Sequence, residues 1–273
     1  MINLKKNPIH IKGVERDKIV KKARKDLEHD GCAIIENFLT QNAIKLLVQE
    51  ANGVLNKAHF SYNRTNPYFT QDDPTLNKSD PRRKFYNRSN GFISADNFRK
   101  DCALRGIHDF LYFDEFIKDC VNEKKFSRYA DPLADVIINV ANEGNGFPWH
   151  FDTNNFTVTL AIQNAVSGGI FQYAPNIRKK NENFDEVSQV LNGKSDKIVS
   201  INLKPGDLQL FKGRYSLHRV SPLKGKLNRY VAIFSYVEEA GMVGSPERTK
   251  QLYGKVLPIH FDRAGIRNDK FID

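Results

Sequence analysis

The sequence predicts a mainly β fold, a sandwich or barrel, that is supported by helices near its N-terminus. Two helical patterns precede residue 60, and short strand-like runs separated by Gly and Pro turns follow Pro132. Hydrophobic residues make up 40% of the 273 residues, which is enough to build a sizeable core. Wholesale disorder is therefore excluded.

The N-terminal part is predicted to be mainly helical. Apolar residues recur at helical spacing over residues 14 to 30, a short apolar strand covers 32 to 35, and Thr40 can cap a second helix. A further helix is expected at about 106 to 125. Residues 61 to 100 are rich in Asn, Asp, Ser, Arg and Pro and show no sustained period. They are interpreted as a long loop region or lid, or equally as a solvated insertion.

The sequence pattern changes from helical to strand-like after Pro132. Strands are expected at 136–140, 156–163, 169–173, 198–203, 208–211 and 229–237. One helical insert, 184–191, interrupts them. We therefore expect a single domain over 1–273, with helical support and a lid in 1–130, a catalytic core in 131–240 and a C-terminal extension in 241–273.

Charge and cysteine content narrow the function classes. The net charge is +10, and the stretch 204–229 alone carries seven basic residues against one acidic residue. This basic stretch suits a nearby anionic ligand, although a Lys-rich soluble surface also explains the total. The three cysteines form no CxxC pair, and neither an apolar signal core nor an 18-residue apolar run is present. A cytoplasmic protein without a membrane span is expected.

A histidine and an aspartate two positions apart occur twice, in residues 150–152 and 260–262. In extended backbone such residues point the same way, so either pair can hold a metal from one side. His218 follows the first pair on a later strand, whereas no histidine follows the second pair, which we interpret as a decoy. His150, Asp152 and His218 would form the two-histidine, one-carboxylate triad of non-haem Fe(II) oxygenases.

Arg229 begins the last strong strand. Strand alternation places it on one face with Val231, Ile233 and Ser235. A buried arginine needs an anionic partner, and its guanidinium binds a carboxylate through two parallel hydrogen bonds. A protein carboxylate or an exposed position for Arg229 is the alternative.

The order of these residues along the chain is similar to that in a known enzyme family. His150, Asp152, His218 and Arg229 resemble the signature of Fe(II)/2-oxoglutarate-dependent oxygenases over about residues 130 to 240. The resemblance implies a distorted double-stranded β-helix, a cupin-like jelly-roll variant. It also implies that the triad holds Fe(II), that Arg229 holds the distal carboxylate of 2-oxoglutarate, and that O2 is consumed.

Three segments carry a closer resemblance. Residues 147–152, 168–176 and 213–220 look like the corresponding segments of radical halogenases and hydroxylases of free amino acids, notably lysine. In the halogenating members a small residue replaces the carboxylate ligand. Because Asp152 is present, the resemblance implies a hydroxylase, with free L-lysine as the expected substrate and succinate and CO2 as co-products.

The residues that contact the small molecules are less well defined by the sequence. Thr159 alternates onto a polar strand face and can meet 2-oxoglutarate. Arg88 is the candidate for a substrate carboxylate, Ser235 can line the pocket beside Arg229, and Tyr253 can close over it. The candidates for binding an amino group are Asp131, Asp135 and Glu143.

Other functions stay open at this point. The same ligands suit a hydroxylase of a peptide, a protein or another metabolite. A cupin-like binding protein, in which the histidines have no catalytic role, is a further alternative. A hydrolytic zinc site leaves Arg229 without a role. A nucleic-acid demethylase is disfavoured because Ser235 stands where that family has a second arginine. A homodimer is neither required nor forbidden.

Overall fold

The computed structural model describes residues 1–262 and 270–272. Four N-terminal helices lie on one face of a large sheet: α1 (Val14–Asp30), α2 (Gln41–Gly53), α3 (Ala103–His108) and α4 (Phe113–Val121). Helix α1 ends where Gly31 takes a left-handed backbone with φ 67°. Thr40 caps the N-terminus of α2, where its hydroxyl accepts the Ala43 N–H.

Short strands make up most of the remainder. In chain order they are β1 (Cys32–Ile35), β2 (His59–Phe60), β3 (Asn63–Thr65), β4 (Tyr86–Arg88), β5 (Gly91–Ile93), β6 (Ser127–Arg128), β7 (Val136–Ala141), β8 (Phe147–His150), β9 (Phe156–Gln163), β10 (Ser167–Gly168), β11 (Phe171–Ala174), β12 (Val199–Ile201), β13 (Leu208–Phe211), β14 (Leu217–Val220), β15 (Leu223–Lys224) and β16 (Arg229–Val237). Helix α5 (Phe184–Leu191) lies between β11 and β12, and α6 (Pro246–Tyr253) and α7 (Pro258–Asp262) follow β16.

The large sheet is antiparallel, with the order β1-β13-β9-β16-β7-β5-β2 and β6 paired to β16. Alternate side chains of β16 point to opposite faces. Tyr230, Ala232 and Phe234 are buried in the main core beneath the helices. Arg229 and Ile233 face the other side, where they line a cavity. This alternation is the one that the sequence predicts.

A smaller antiparallel sheet, β12-β11-β14-β8, covers that other side. Aromatic contacts join the two sheets. The Phe211 ring of the large sheet lies 5.0 Å from Phe171 and 4.8 Å from His218 of the small sheet, measured between centroids. The two sheets enclose a cavity, as a double-stranded β-helix does, and the predicted fold class is confirmed.

Two predictions about the N-terminal part are wrong in detail. The helix expected at 106 to 125 is two helices, because α3 ends at His108 and α4 begins only at Phe113. At this break Arg128 donates to the His108 carbonyl and to the Asp109 carboxylate. The region 61 to 100 is not one loop, since it contains β3, β4 and β5.

Among the described residues, we find no helix with the length and apolar character needed to cross a membrane.

Candidate metal centre

His150, Asp152 and His218 meet inside the barrel. His150 ends β8 and lies directly opposite His218 on β14. Asp152 follows two positions after His150, and its Oδ1 atom lies 3.6 Å from His150 Nε2 and 3.4 Å from His218 Nε2. All three possible ligand atoms fall within 4.8 Å of one another. The structure thus brings together the three residues that the sequence nominated.

Backbone carbonyls orient both imidazoles. Nδ1 of His150 lies 2.7 Å from the Pro148 carbonyl, and Nδ1 of His218 lies 3.0 Å from the Ser216 carbonyl. A carbonyl can only accept, so each Nδ1 carries the proton and donates it. Each Nε2 is left as an unprotonated donor atom toward a metal, as in many metal sites.

The carboxylate of Asp152 is held by its other oxygen. The Thr157 hydroxyl donates to Oδ2, and the Asp152 N–H donates to the Gly213 carbonyl at 3.1 Å. Oδ1 is therefore the atom that faces the two imidazoles. One oxygen and two nitrogens on one side form a donor set that suits Fe(II) and leaves the opposite positions open.

The protonation states also suit a metal. Burial, together with the neighbouring His218, lowers the pKa of His150 to about 3, so its ring is neutral at physiological pH. Burial raises the pKa of Asp152, but when a facing histidine carries a proton at Nε2, its charge and its hydrogen bond hold that pKa well below the usual range. A neutral imidazole and an ionised carboxylate are the forms that bind a cation.

Arg229 and Thr159 line the cavity that contains the triad. Arg229 is 7% exposed, and its guanidinium makes no hydrogen bond or ion pair with any residue that the structure describes. Burial lowers the pKa of Arg229 to about 10, which still leaves a cation at neutral pH. The Thr159 hydroxyl donates to Gln209 Oε1 at 2.9 Å. A buried, unpaired guanidinium of this kind calls for an anionic ligand.

A second cavity of about 230 Å³ adjoins the carboxylate ligand. Asp152, Thr157, Ser235 and Tyr253 are among its lining residues. Asp131 is also on this wall, where its carboxylate accepts the Gly244 N–H and lies 3.0 Å from His260 Nε2. The second histidine–aspartate pair of the sequence therefore supplies His260 to Asp131 rather than a metal ligand.

Arg88 lies behind the wall of this second cavity. It is 1% exposed, and both terminal guanidinium nitrogens are buried without a hydrogen-bond partner in the described part of the chain. Its guanidinium carbon lies 4.8 Å from the Phe147 ring and 5.7 Å from the Phe92 ring, and both rings line the cavity. Burial and the nearby Arg248 hold the pKa of Arg88 well below its ordinary value.

The prediction that Asp135 binds the amino group of a substrate is wrong. Its carboxylate forms an ion pair with Arg105 and accepts the Val136 N–H. Asp135 does not line either cavity, so it is not positioned to bind the amino group of a substrate. Glu143 likewise lines neither cavity, and its carboxylate accepts the Gly225 N–H.

Several cavity residues escape sequence reasoning. Gln209 is buried in the cavity with Arg229, and only its polar side chain within the apolar strand β13 signals it. Arg248 lines the second cavity from α6, with its guanidinium carbon 3.5 Å from the centre of the Phe69 ring. No local pattern announces that contact, because the two residues are far apart in the chain.

The family model that describes Halogenase D matches residues 14–253. The chain belongs to the Halogenase D family. No curated protein matches the sequence significantly. The family match covers α1 to α6 and both sheets, so the candidate metal centre lies well inside it.

Solved structures show the same fold at low identity. A prolyl hydroxylase from Trichoplax adhaerens, in complex with a hypoxia inducible factor peptide fragment, has 17% identity and a TM-score of 0.53, with 82% of this chain and 91% of that chain covered. The α-ketoglutarate-dependent carbocyclase SnoK from nogalamycin biosynthesis has 11% identity and a TM-score of 0.58, with 84% and 87% covered. The epimerase SnoN, in complex with Fe3+, α-ketoglutarate and nogalamycin RO, has 9% identity and a TM-score of 0.54, with 82% and 83% covered. Family, fold and ligand set together assign this chain to the Fe(II)/2-oxoglutarate oxygenases.

Proposed function

We propose that the protein is a hydroxylase that inserts oxygen into an unactivated C–H bond of a small amino acid, with free L-lysine as the first candidate. The observation that carries the proposal is the carboxylate of Asp152 beside the two histidines. In the halogenating proteins that the sequence resembles, a small residue at this position leaves room for halide. Here a carboxylate occupies that ligand position, which favours return of hydroxyl to the substrate.

The polar residues around the triad in the first cavity have separate parts in this reaction. His150, Asp152 and His218 would hold Fe(II), and Arg229 would pair with the distal carboxylate of 2-oxoglutarate. When bound, the iron supplies the oxidising power by activating O2 while 2-oxoglutarate is converted to succinate and CO2. The Thr159 hydroxyl, which donates to Gln209 in this structure, would turn to donate to 2-oxoglutarate as a second polar contact.

The second cavity offers groups for both ends of an amino acid. Arg248 on its wall and Arg88 behind it supply positive charge for a carboxylate. Asp131 on the same wall can accept hydrogen bonds from an ammonium group. Between them the lining is mostly apolar, with Ile137, Ile233 and Met242, which suits an aliphatic side chain. Ser235 and Tyr253 would complete the contacts.

A second candidate is the hydroxylation of an amino acid within a peptide or protein. A groove of about 690 Å³ runs along the outer side of β8, where Phe147 separates it from the second cavity. Tyr62, Arg88, Trp149 and Arg219 are among its lining residues, and no acidic residue lines it in the described chain. Such an open, aromatic and basic surface suits an extended chain better than a free amino acid.

Succinate formation tests the proposal. The enzyme is supplied with Fe(II), 2-oxoglutarate, ascorbate and each free amino acid in turn, and mass spectrometry follows the amino acid in the same tubes. We expect one amino acid, lysine first, to stimulate succinate release and to gain one oxygen atom. His218→Ala is the control that lacks a metal ligand. Succinate that no amino acid stimulates would move the search to peptides, and an oxidised peptide would then support the second candidate.

A further inference from the structure

Gly213 lies against the carboxylate of the proposed third metal ligand. It belongs to the turn between β13 and β14 that leads into His218. From the geometry around this turn, we propose that Gly213 is a positioning residue that allows Asp152 to act as a ligand. Residues 152 and 213 then decide together whether a carboxylate can serve as the third metal ligand. The inference rests on the ligand set of the proposed function but not on its substrate.

The space at Gly213 is filled by Asp152 itself. A Cβ atom built on Gly213 would overlap the carboxylate and would lie 2.7 Å from Asp152 Cγ and 2.9 Å from Asp152 Cβ. Real Cβ atoms essentially never approach other heavy atoms this closely. Any residue other than glycine at 213 would therefore have to push the Asp152 side chain away from the two imidazoles.

Asp152 has little freedom to move aside. Its N–H donates to the Gly213 carbonyl at 3.1 Å, and the Thr157 hydroxyl holds Oδ2. The preceding residue is also fixed, because the Phe151 N–H donates to the Pro67 carbonyl at 3.0 Å. A side chain at 213 would break the Thr157 contact or turn Oδ1 away from His150 and His218.

The turn that contains Gly213 is equally fixed. The Lys212 N–H donates to the Gly31 carbonyl at 2.9 Å, and the Tyr215 N–H donates back to the Lys212 carbonyl at 3.1 Å. Arg214 is fully buried, and the Ser216 hydroxyl accepts the Asn176 N–H. The backbone therefore cannot retreat from Asp152 without breaking several buried hydrogen bonds.

The turn itself does not require glycine. The φ of Gly213 lies outside the left-handed range that disfavours other residues, unlike that of Gly206 at 94°. What excludes a side chain at 213 is therefore the carboxylate of Asp152. It follows that a chain with a small residue at position 152 would tolerate a side chain at position 213.

A double-mutant cycle tests this coupling. The wild type, Gly213→Ala, Asp152→Gly and the double variant are compared by thermal unfolding after removal of metal with EDTA, and by anaerobic Fe(II) titration against a chromophoric chelator. Gly53→Ala is the matched control, since a Cβ on Gly53 meets nothing within 4 Å. We expect Gly213→Ala to lower the melting temperature and to raise the Fe(II) dissociation constant at least about tenfold when Asp152 is present. When residue 152 is glycine, the same change should alter the melting temperature no more than Gly53→Ala does.

Equal losses of melting temperature in both backgrounds would overturn the inference, because the turn would then need glycine for itself. No loss beside Asp152 would overturn it as well. If Gly213→Ala fails to fold, a folded double variant supports the inference and an unfolded one contradicts it. The EDTA measurement needs no substrate, so an enzyme that oxidises no amino acid would leave this result standing.

Discussion

The metal centre and the wall of the substrate cavity are assembled in different ways. His150 and His218 face each other across two paired strands, and each ring is oriented by a carbonyl two residues before it in the chain. The wall carries Arg248 from α6, and Arg88 from β4 lies behind it, although most of the catalytic core separates these two residues in the chain. The first arrangement depends on strand register, whereas the second depends on the packing of distant segments.

Phe69 shows how much the wall depends on its surroundings. Its backbone is left-handed, with φ 58°, which is uncommon for a bulky residue and costs about 1–3 kcal/mol. The buried amide of Asn66 holds this segment by accepting the N–H groups of Tyr68 and Thr70. The Phe69 ring then lies beside His150 on one side and Arg248 on the other. The wall therefore depends on contacts between segments that are distant in the chain.

The largest effect is expected at the metal centre. Asp152→Gly removes the oxygen ligand, and we expect hydroxylated product to fall at least about a hundredfold. Product analysis by mass spectrometry in the presence and absence of chloride measures the loss and detects any chlorinated product. Wild-type levels of hydroxylation in the variant would show that Asp152 is not a ligand.

The next largest effect is expected at Arg229. Removing a buried partner of a carboxylate costs about 2–5 kcal/mol, so Arg229→Ala should raise the dissociation constant of 2-oxoglutarate at least about thirtyfold. Fe(II) binding should hardly change, because the triad is intact. Arg229→Lys is the matched control and should lose less affinity. Equal losses of iron and 2-oxoglutarate binding in the alanine variant would make Arg229 a structural residue.

A smaller and more selective effect is expected at Arg88. Arg88→Met keeps the length of the side chain but removes its charge, so the KM for the amino acid should rise about tenfold. The affinities for Fe(II) and 2-oxoglutarate should stay unchanged. Arg99→Met is the control, because Arg99 is exposed and lines neither cavity nor the groove along β8. If Arg88→Met weakens 2-oxoglutarate binding as strongly as substrate binding, the claim that the amino acid has a binding wall of its own is contradicted.

The contrast between the two regions also explains what the sequence can predict. The triad and Arg229 follow from two-residue alternation on strands, a local property of the chain. The role expected for Asp135 does not hold, because the ion pair with Arg105 depends on packing between α3 and the chain before β7. The sequence could not single out Gly213 either. Gly213 lies in the connection between β13 and β14, whereas the Asp152 that it contacts lies in the connection between β8 and β9.

The smallest effect on activity is expected at His108, which lies beneath the large sheet and away from both cavities. Burial, together with nearby Arg128, lowers the pKa of His108 to about 4. The unfolded chain takes up this proton near pH 6.5, so stability from the neutral ring is present above that pH and is lost as the pH falls toward 4. Relative to His108→Phe, the metal-free wild type should lose about 3 kcal/mol between pH 7 and pH 4. Urea unfolding at several pH values measures this difference, and parallel profiles would contradict it.

The most direct test of the central claim needs no knowledge of the substrate. Under anaerobic conditions, 2-oxoglutarate is titrated into the Fe(II)-loaded protein while the visible absorption band of the iron–2-oxoglutarate chelate is recorded. We expect a band that saturates in the wild type, requires higher 2-oxoglutarate concentrations in Arg229→Ala and is absent in His218→Ala. A wild-type protein that holds Fe(II) but gives no such band would contradict the assignment of His150, Asp152, His218 and Arg229 to one oxygenase site.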